Sequence, residues 1–281
     1  MSMTEDQLTQ VVVDRLASTP DDRLREVMQA LVRHLHAFAK EVRLTDAEWF
    51  AGIQFLTATG QMCDDIRQEF ILLSDTLGFS SLIDLINHSD VEALATEPTI
   101  LGPFYVPESP VREFGASMVE YDDGGEAAIF RGVVTDTAGT PISGAVLDVW
   151  QNAATGFYAV QQPDVQPPTN LRGKYLTDAD GRYEVRTVRP VPYPIPNDGP
   201  VGKLISETGR HEWRAAHIHV KVSSPGFEPL TTHIFDRESD YLDSDTVFGV
   251  KESLIEDFAP GADSLLVCEH DFVLARVSAA H

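Results

Sequence analysis

The change of hydrophobic period near residue 97 constrains this chain more than any other feature. From residue 4 to about 96, apolar residues recur at helical spacing, and further on they come in short β-rich runs separated by turns. Two periods used one after the other predict an α+β architecture, a helical N-terminal part followed by an antiparallel β-sandwich. The boundary is EPTILGPFYVPESP, fourteen residues holding four prolines, and it predicts a helical domain over 1–100 and a sandwich domain over 101–281.

Local chemistry supports each half. Thr4 with Gln7 and Thr45 with Glu48 are capping boxes, the first leading into Leu8, Val11, Val12 and Leu16 and the second into Trp49, Ile53 and Leu56. Thr19-Pro20-Asp21-Asp22 offers an N-cap, a proline at the first helical position and two acids in the first turn, ahead of Leu24, Val27, Met28, Leu31, Leu35 and Phe38. Further helices are expected from Asp65 to a stop near Gly78 and over Ser81–Ile86. These apolar stripes exceed what one helix layer over a sandwich would hide, so the N-terminal half is expected to associate as a two-fold dimer. Strands are expected in FRGVVTD, AVLDVWQN, GKYLT, RYEVRTV, HIHVKV, LTTHIF and SLLVCEHDFVL. The proline-rich excursion RPVPYPIPNDGPVG, 189–202, interrupts them and reads as a stiffened functional loop.

Composition removes several function classes. The chain has 281 residues, with 44 acids against 21 bases, a net charge of −23. Such a surface repels phosphates, so nucleic acid and anionic lipid surfaces are not expected partners. Cys63 and Cys268 form no CxxC pair, which leaves neither a thiolate metal motif nor a disulfide framework. The acidic start MSMTEDQLTQ is unlike a signal peptide, and no apolar run nears the roughly 20 residues of a membrane span, so a cytoplasmic location is expected.

Nine histidines include two His-x-His pairs. His34 and His36 fall in a helix, where residues two apart point about 200° apart and cannot meet on one ion. His217 and His219 fall in a strand, where residues two apart share a face and suit a common metal, although a half-solvated strand face would accept the same pair. Neither a carboxylate nor a cysteine lies near enough in sequence to complete a ferrous facial triad or a typical zinc set. Tyr158 after a glycine and Tyr193 among prolines stand where a ring can be held toward a cleft, or can simply fill core. A phenol ionises only near pH 10, and a hard trivalent cation such as ferric iron brings that down.

Three segments together resemble one family. They are FRGVVTDTAGTPISGAVLDVWQNAATGFY (130–158), TDADGRYEVRTVRPVPYPIP (177–196) and GRHEWRAAHIHVKVSSPGFEPLTTHIF (209–235), and the family is the intradiol ring-cleavage dioxygenases. The resemblance implies a mononuclear non-haem Fe(III) centre bound by Tyr158, Tyr193, His217 and His219, with Arg214 as a catalytic guanidinium beside the substrate ring. It further implies that a catecholic diol chelates the iron, that Tyr193 leaves the metal and helps take up a proton, and that both atoms of O2 end in a dicarboxylic acid. Leu72, Asp75, Ile100, Gly102, Pro103, Phe104, Ile195, Pro196, His233 and Val247 match substrate-pocket positions. Asp75 and His233, with the PYPIP segment, are similar to the hydroxyquinol group of the family, which implies 1,2,4-trihydroxybenzene as substrate and 3-hydroxy-cis,cis-muconate, the tautomer of maleylacetate, as product. Catechol or chlorocatechol remains the alternative substrate within the family. The resemblance also points to a homodimer, in which a lipid can fill a tunnel between the helical arms. From other classes, a non-catalytic sandwich binding module predicts no iron, and a zinc hydrolase lacks a visible third nitrogen or carboxylate ligand.

Overall fold

The structure is a computed structural model and describes residues 3–64, 67–88, 94–261 and 265–277. It contains two compact units, Met1–Gln61 and Met62–His281. The first holds α1 (Glu5–Arg15), α2 (Asp22–Glu41) and α3 (Asp46–Gln61). Both expected capping boxes form: Thr4 Oγ1 accepts the Gln7 N–H at 3.2 Å, and Thr45 Oγ1 accepts the Glu48 N–H at 3.3 Å. The start of α2 differs from expectation. Asp21 caps it by accepting the Leu24 N–H at 2.8 Å, so Thr19 and Pro20 lie outside the helix. A carboxylate caps as well as a hydroxyl and also opposes the helix dipole, which favours the later start. Lys40 with Asp6 at 2.7 Å and Gln29 with the Val13 carbonyl at 3.1 Å tie α1 to α2, while Leu24, Val27, Leu31, Leu35 and Phe38 stay exposed.

The second unit opens with α4 (Glu69–Thr76) and α5 (Phe79–His88). The expected start of α4 at Asp65 lies outside the described residues. The strands follow: β1 (Ala127–Asp136), β2 (Val146–Trp150), β3 (Arg172–Leu176), β4 (Arg182–Val188) and β5 (Tyr193–Pro194). Then come α6 (Pro200–Glu207), β6 (Trp213–Arg214), β7 (His217–Ser223), β8 (Leu230–Asp236), β9 (Ile255–Glu256), β10 (Ala259–Pro260), β11 (Leu266–Glu269) and β12 (Phe272–Leu274).

Two five-stranded sheets make the sandwich. One has the order β3-β2-β7-β8-β9, and the other β10-β11-β1-β12 with β4 also paired to β1. Most ladders are antiparallel as expected, but β1 pairs in parallel with β11 and β12, and β8 with β9. These partners are reached through long connections, which frees them from the hairpin geometry that enforces antiparallel pairing. Between the sheets lie Phe130, Val134, Leu147, Val149, Tyr183, Val185, Ile218, Val220, Val222, Ile234 and Phe272, each at most 1 % exposed. Burying each large side chain of this kind contributes about 1.5–3 kcal/mol.

Two departures from simple alternation set up the site. In β7 Ile218, Val220 and Val222 face the core, yet His217 and His219 on the opposite face are also 1 % exposed. The strand is therefore covered on both faces. The proline-rich excursion is ordered as well, since β5 lies inside it and pairs with β6, placing Tyr193 opposite Arg214.

Candidate metal and substrate site

Strand register assembles the site. Arg172, Trp150, His219 and His233 stand in one row across β3, β2, β7 and β8. Side chains in register share a sheet face, so the row places an indole and two imidazoles side by side. Trp150 stacks on His219 with ring centroids 4.7 Å apart at 12°, which fixes the imidazole plane. His217 lies on the same face, and its Nε2 is 3.1 Å from Nε2 of His219.

Tyr158 and Tyr193 close on this pair. The Tyr158 hydroxyl lies 3.0 Å from His219 Nε2, and the two tyrosine rings meet edge to face at 5.3 Å. Phe104 stacks on Tyr158 at 4.6 Å and shields that side. Gly102 has φ +76°, and a Cβ there would sit 3.2 Å from His219 Cε1, so the strap before β1 can approach the imidazole this closely only without a side chain.

The protonation state of these donors suits metal ligation. The His217 Nδ1–H donates to the Ala215 carbonyl at 2.7 Å, which leaves Nε2 unprotonated, with its lone pair 3.2 Å from Arg214 Nη1. Burial pushes His217, His219 and His233 well below the usual histidine range, and neighbouring imidazoles and Arg214 add to this. The imidazoles are therefore neutral, the form in which they ligate metals. Burial, and then the adjacent Tyr193, pushes the Tyr158 phenol well above 10, so it is neutral until a strong positive charge arrives. Two phenol oxygens and two unprotonated imidazole nitrogens converging in a dry pocket fit a hard trivalent cation.

His233 is the correction to the sequence reading of the metal. A third nitrogen does exist near the His-x-His pair: ligand atoms of His217, His219 and His233 all lie within 4.8 Å of one another. His233 is fully buried, 4.3 and 4.6 Å from the other two rings by centroid, and neither of its ring nitrogens has a hydrogen-bond partner among the described residues. Sixteen positions separate it from His217 in sequence, so spacing could not show that β8 returns it to the same face.

Arg214 is 2 % exposed. Its Nη1 lies 3.4 Å from Tyr193 Oη and 3.2 Å from His217 Nε2, while its Nε lies 3.1 Å from Asp245 Oδ1. Burial alone would pull the guanidinium down, but Asp245 and the two phenols outweigh it and hold the charge firmly. The pocket residues divide into two groups. Gly102, Phe104, Arg214 and His233 touch the donor set directly. Leu72, Asp75, Ile100, Ile195 and Val247 are buried, and Pro103 and Pro196 half-buried. Burial pushes the Asp75 carboxyl up; a hydrogen bond with Ser80 and the Arg214 charge oppose this, and Asp245 adds to it. Asp245 escaped the sequence reading, because nothing in LDSDTVFGV distinguishes it from its neighbouring acids. A cavity of about 440 Å³, lined in part by Arg210, His211, Asp245 and Phe248, borders Asp245 but reaches none of the four donors.

Comparison with known proteins agrees. A family model described as "Dioxygenase" matches residues 100–276, and one described as "Catechol dioxygenase N terminus" matches 21–94. The chain is 50% identical over 267 residues to 6-chlorohydroxyquinol 1,2-dioxygenase of Cupriavidus pinatubonensis, covering 95% of this chain and 96% of that protein. It is 46% identical to hydroxyquinol 1,2-dioxygenase of a Rhizobium species, covering 97% and 96%. The solved structure of hydroxyquinol 1,2-dioxygenase from Pseudomonas putida superposes with a TM-score of 0.90 at 47% identity, covering 97% and 99%. A two-sheet sandwich preceded in sequence by helices, with two phenols closing on the imidazoles of β7 and β8, is that of a dioxygenase. This chain belongs to the intradiol ring-cleavage dioxygenase family.

Proposed function

We propose that this chain cleaves hydroxyquinol between its two adjacent hydroxyl-bearing carbons and adds both atoms of O2, giving 3-hydroxy-cis,cis-muconate, the tautomer of maleylacetate. The observation that carries the reading is the convergence of Tyr158, Tyr193, His217 and His219, with Asp75 as a buried carboxyl near Arg214. These four side chains would hold one ferric ion. When bound, that ion supplies a Lewis acid that lowers the proton affinity of the diol and makes the ring reactive toward O2.

The protein's own groups do the rest. Tyr193, a phenolate when the ion is held, would take up a substrate proton at Oη, with Arg214 Nη1 3.4 Å away to fix the orientation of that oxygen. The Ala215 carbonyl keeps His217 in its ligating tautomer, and Phe104 keeps water from Tyr158. Asp75 pairs with the third ring hydroxyl, a group catechol lacks, and a site built to hydrogen-bond a hydroxyl rejects the analogue without it. The names of the relatives favour a hydroxyquinol, and that of the Cupriavidus enzyme favours tolerance of a chlorine on the ring. Catechol or chlorocatechol is the second reading, supported by similarity to chlorocatechol 1,2-dioxygenase at 35% identity.

Residues 1–100 serve as a helical association arm and 101–281 as the catalytic sandwich. The exposed row Leu24, Val27, Leu31, Leu35 and Phe38 supports a homodimer through these apolar arms, which a lipid chain could also cover. Among the described residues no helix is long and apolar enough to cross a membrane, in keeping with a cytoplasmic enzyme.

A visible spectrum followed by anaerobic titration with hydroxyquinol tests the centre, and oxygen uptake with hydroxyquinol, catechol and chlorocatechol tests the substrate. The iron-loaded protein is expected to be red-brown from phenolate-to-ferric charge transfer. A colourless protein that binds zinc through its three imidazoles would sink the ferric reading, and a higher kcat/KM for catechol would sink the substrate.

A further inference from the structure

We infer that Asp245 is a positioning residue for ring cleavage: by holding the Nε and Nη2 edge of Arg214, it aims the remaining nitrogen, Nη1, at Tyr193 Oη. The inference rests on the ring-cleavage reading above. A guanidinium on a four-bond stem has many rotamers, and an acceptor that engages two of its nitrogens removes most of them. Here Asp245 Oδ1 lies 3.1 Å from Nε and Oδ2 lies 3.5 Å from Nη2. Both side chains are 2 % exposed, so water does not compete for either partner.

Asp245 is itself held. Its Oδ2 accepts the Gly249 N–H at 2.8 Å, and its carbonyl accepts the Phe248 N–H at 3.0 Å. Phe248 turns the chain at φ +57°. A Cβ on Gly249 would stand 3.0 Å from Arg214 Nη2 and 3.2 Å from Asp245 Oδ2, so this turn tolerates no side chain without displacing the pair. Arg210 anchors the same turn to the end of α4, donating to the carbonyls of Thr246 at 2.6 Å and Thr76 at 2.5 Å.

This arrangement divides two carboxyls between two tasks. Asp75 and Asp245 are both within electrostatic reach of Arg214. Because Asp245 occupies the guanidinium edge, Asp75 is left for the substrate and Nη1 is left for the reacting end. A cation on His217 Nε2 would use that lone pair, leaving Tyr193 Oη as the acceptor of Nη1.

The test is Asp245→Asn in the iron-loaded chain, with and without Arg214→Ala. Expected are retained iron and a kcat for hydroxyquinol lower on the order of tenfold to a hundredfold, the scale of a misaimed group. On the Arg214→Ala background the same change is expected to cost less than about twofold, because a group that acts through Arg214 has nothing left to aim. Unchanged kcat, loss of iron, or an undiminished loss on the Arg214→Ala background overturns the inference. If Asp245→Asn does not fold, Gly249→Ala keeps both charges and displaces the edge, and it carries the same expectation and the same overturning results. Absence of oxygen uptake by the unaltered chain would instead overturn the ring-cleavage reading itself.

Discussion

Asp75 shows how one residue can serve function against stability. Its carboxyl is 3 % exposed and pushed up chiefly by burial, so its folded value lies above its unfolded one. For a raised acid the stabilising contribution is complete below the unfolded value near 3.8 and is lost as pH rises through the folded value. At neutral pH an ionised Asp75 therefore costs stability, which a plain structural residue would have no reason to do. Asp75→Asn is expected to raise stability at pH 7, with the gain vanishing toward pH 4 in denaturant titrations. Asp75→Ala is expected to lower kcat/KM for hydroxyquinol more than for catechol, and an equal loss for both would remove Asp75 from substrate selection. That this aspartate is unusual was legible only by resemblance, since burial of an acid cannot be read from its helical spacing to Leu72.

At the scale of elements, local signals were reliable where the physics is local. The two capping boxes, the period-2 placement of His217 and His219, and the β4 run RYEVRTV depend on neighbours within a few residues, and each formed as read, whereas the cap of α2 moved from Thr19 to Asp21. The docking of α4, which carries Leu72 and Asp75, is different. Glu69, fully buried at its start, accepts the Val201 N–H of α6 at 3.1 Å and the Arg67 Nε–H at 2.9 Å. Its partner in α6 is 132 positions away. Glu69→Ala strands a buried backbone donor and is expected to cost about 1–3 kcal/mol. Thermal melts check the cost, and a raised KM for hydroxyquinol with an unshifted visible band would show that α4 shapes the pocket without touching the proposed ligands.

For the whole molecule the relevant quantity is linkage between metal and fold. The proposed ligands come from β5, β7 and the loop after β2, so one ion would cross-link segments that meet only in the folded state. Ferric loading is expected to stabilise the fold by about 2.7 kcal/mol at a hundredfold excess over Kd, seen as a melting temperature that rises with ion concentration. Tyr158→Phe together with His217→Ala is expected to abolish the shift, and a shift that survived both would place the ion elsewhere.

The amino-acid sequence by itself determined the two-part architecture, most element positions and the pair of histidines on one strand face, because period, caps and turns are properties of adjacent residues. It also determined the net charge of −23. Only the tertiary structure decided that His233 joins His217 and His219, that β5 inside the proline-rich excursion pairs Tyr193 with Arg214, and that Asp245 holds the far edge of that guanidinium. Those three facts depend on strand register and on a tight turn between residues far apart in the chain. Such contacts are set by how two sheets and their loops pack, a global minimum that no short window of sequence encodes.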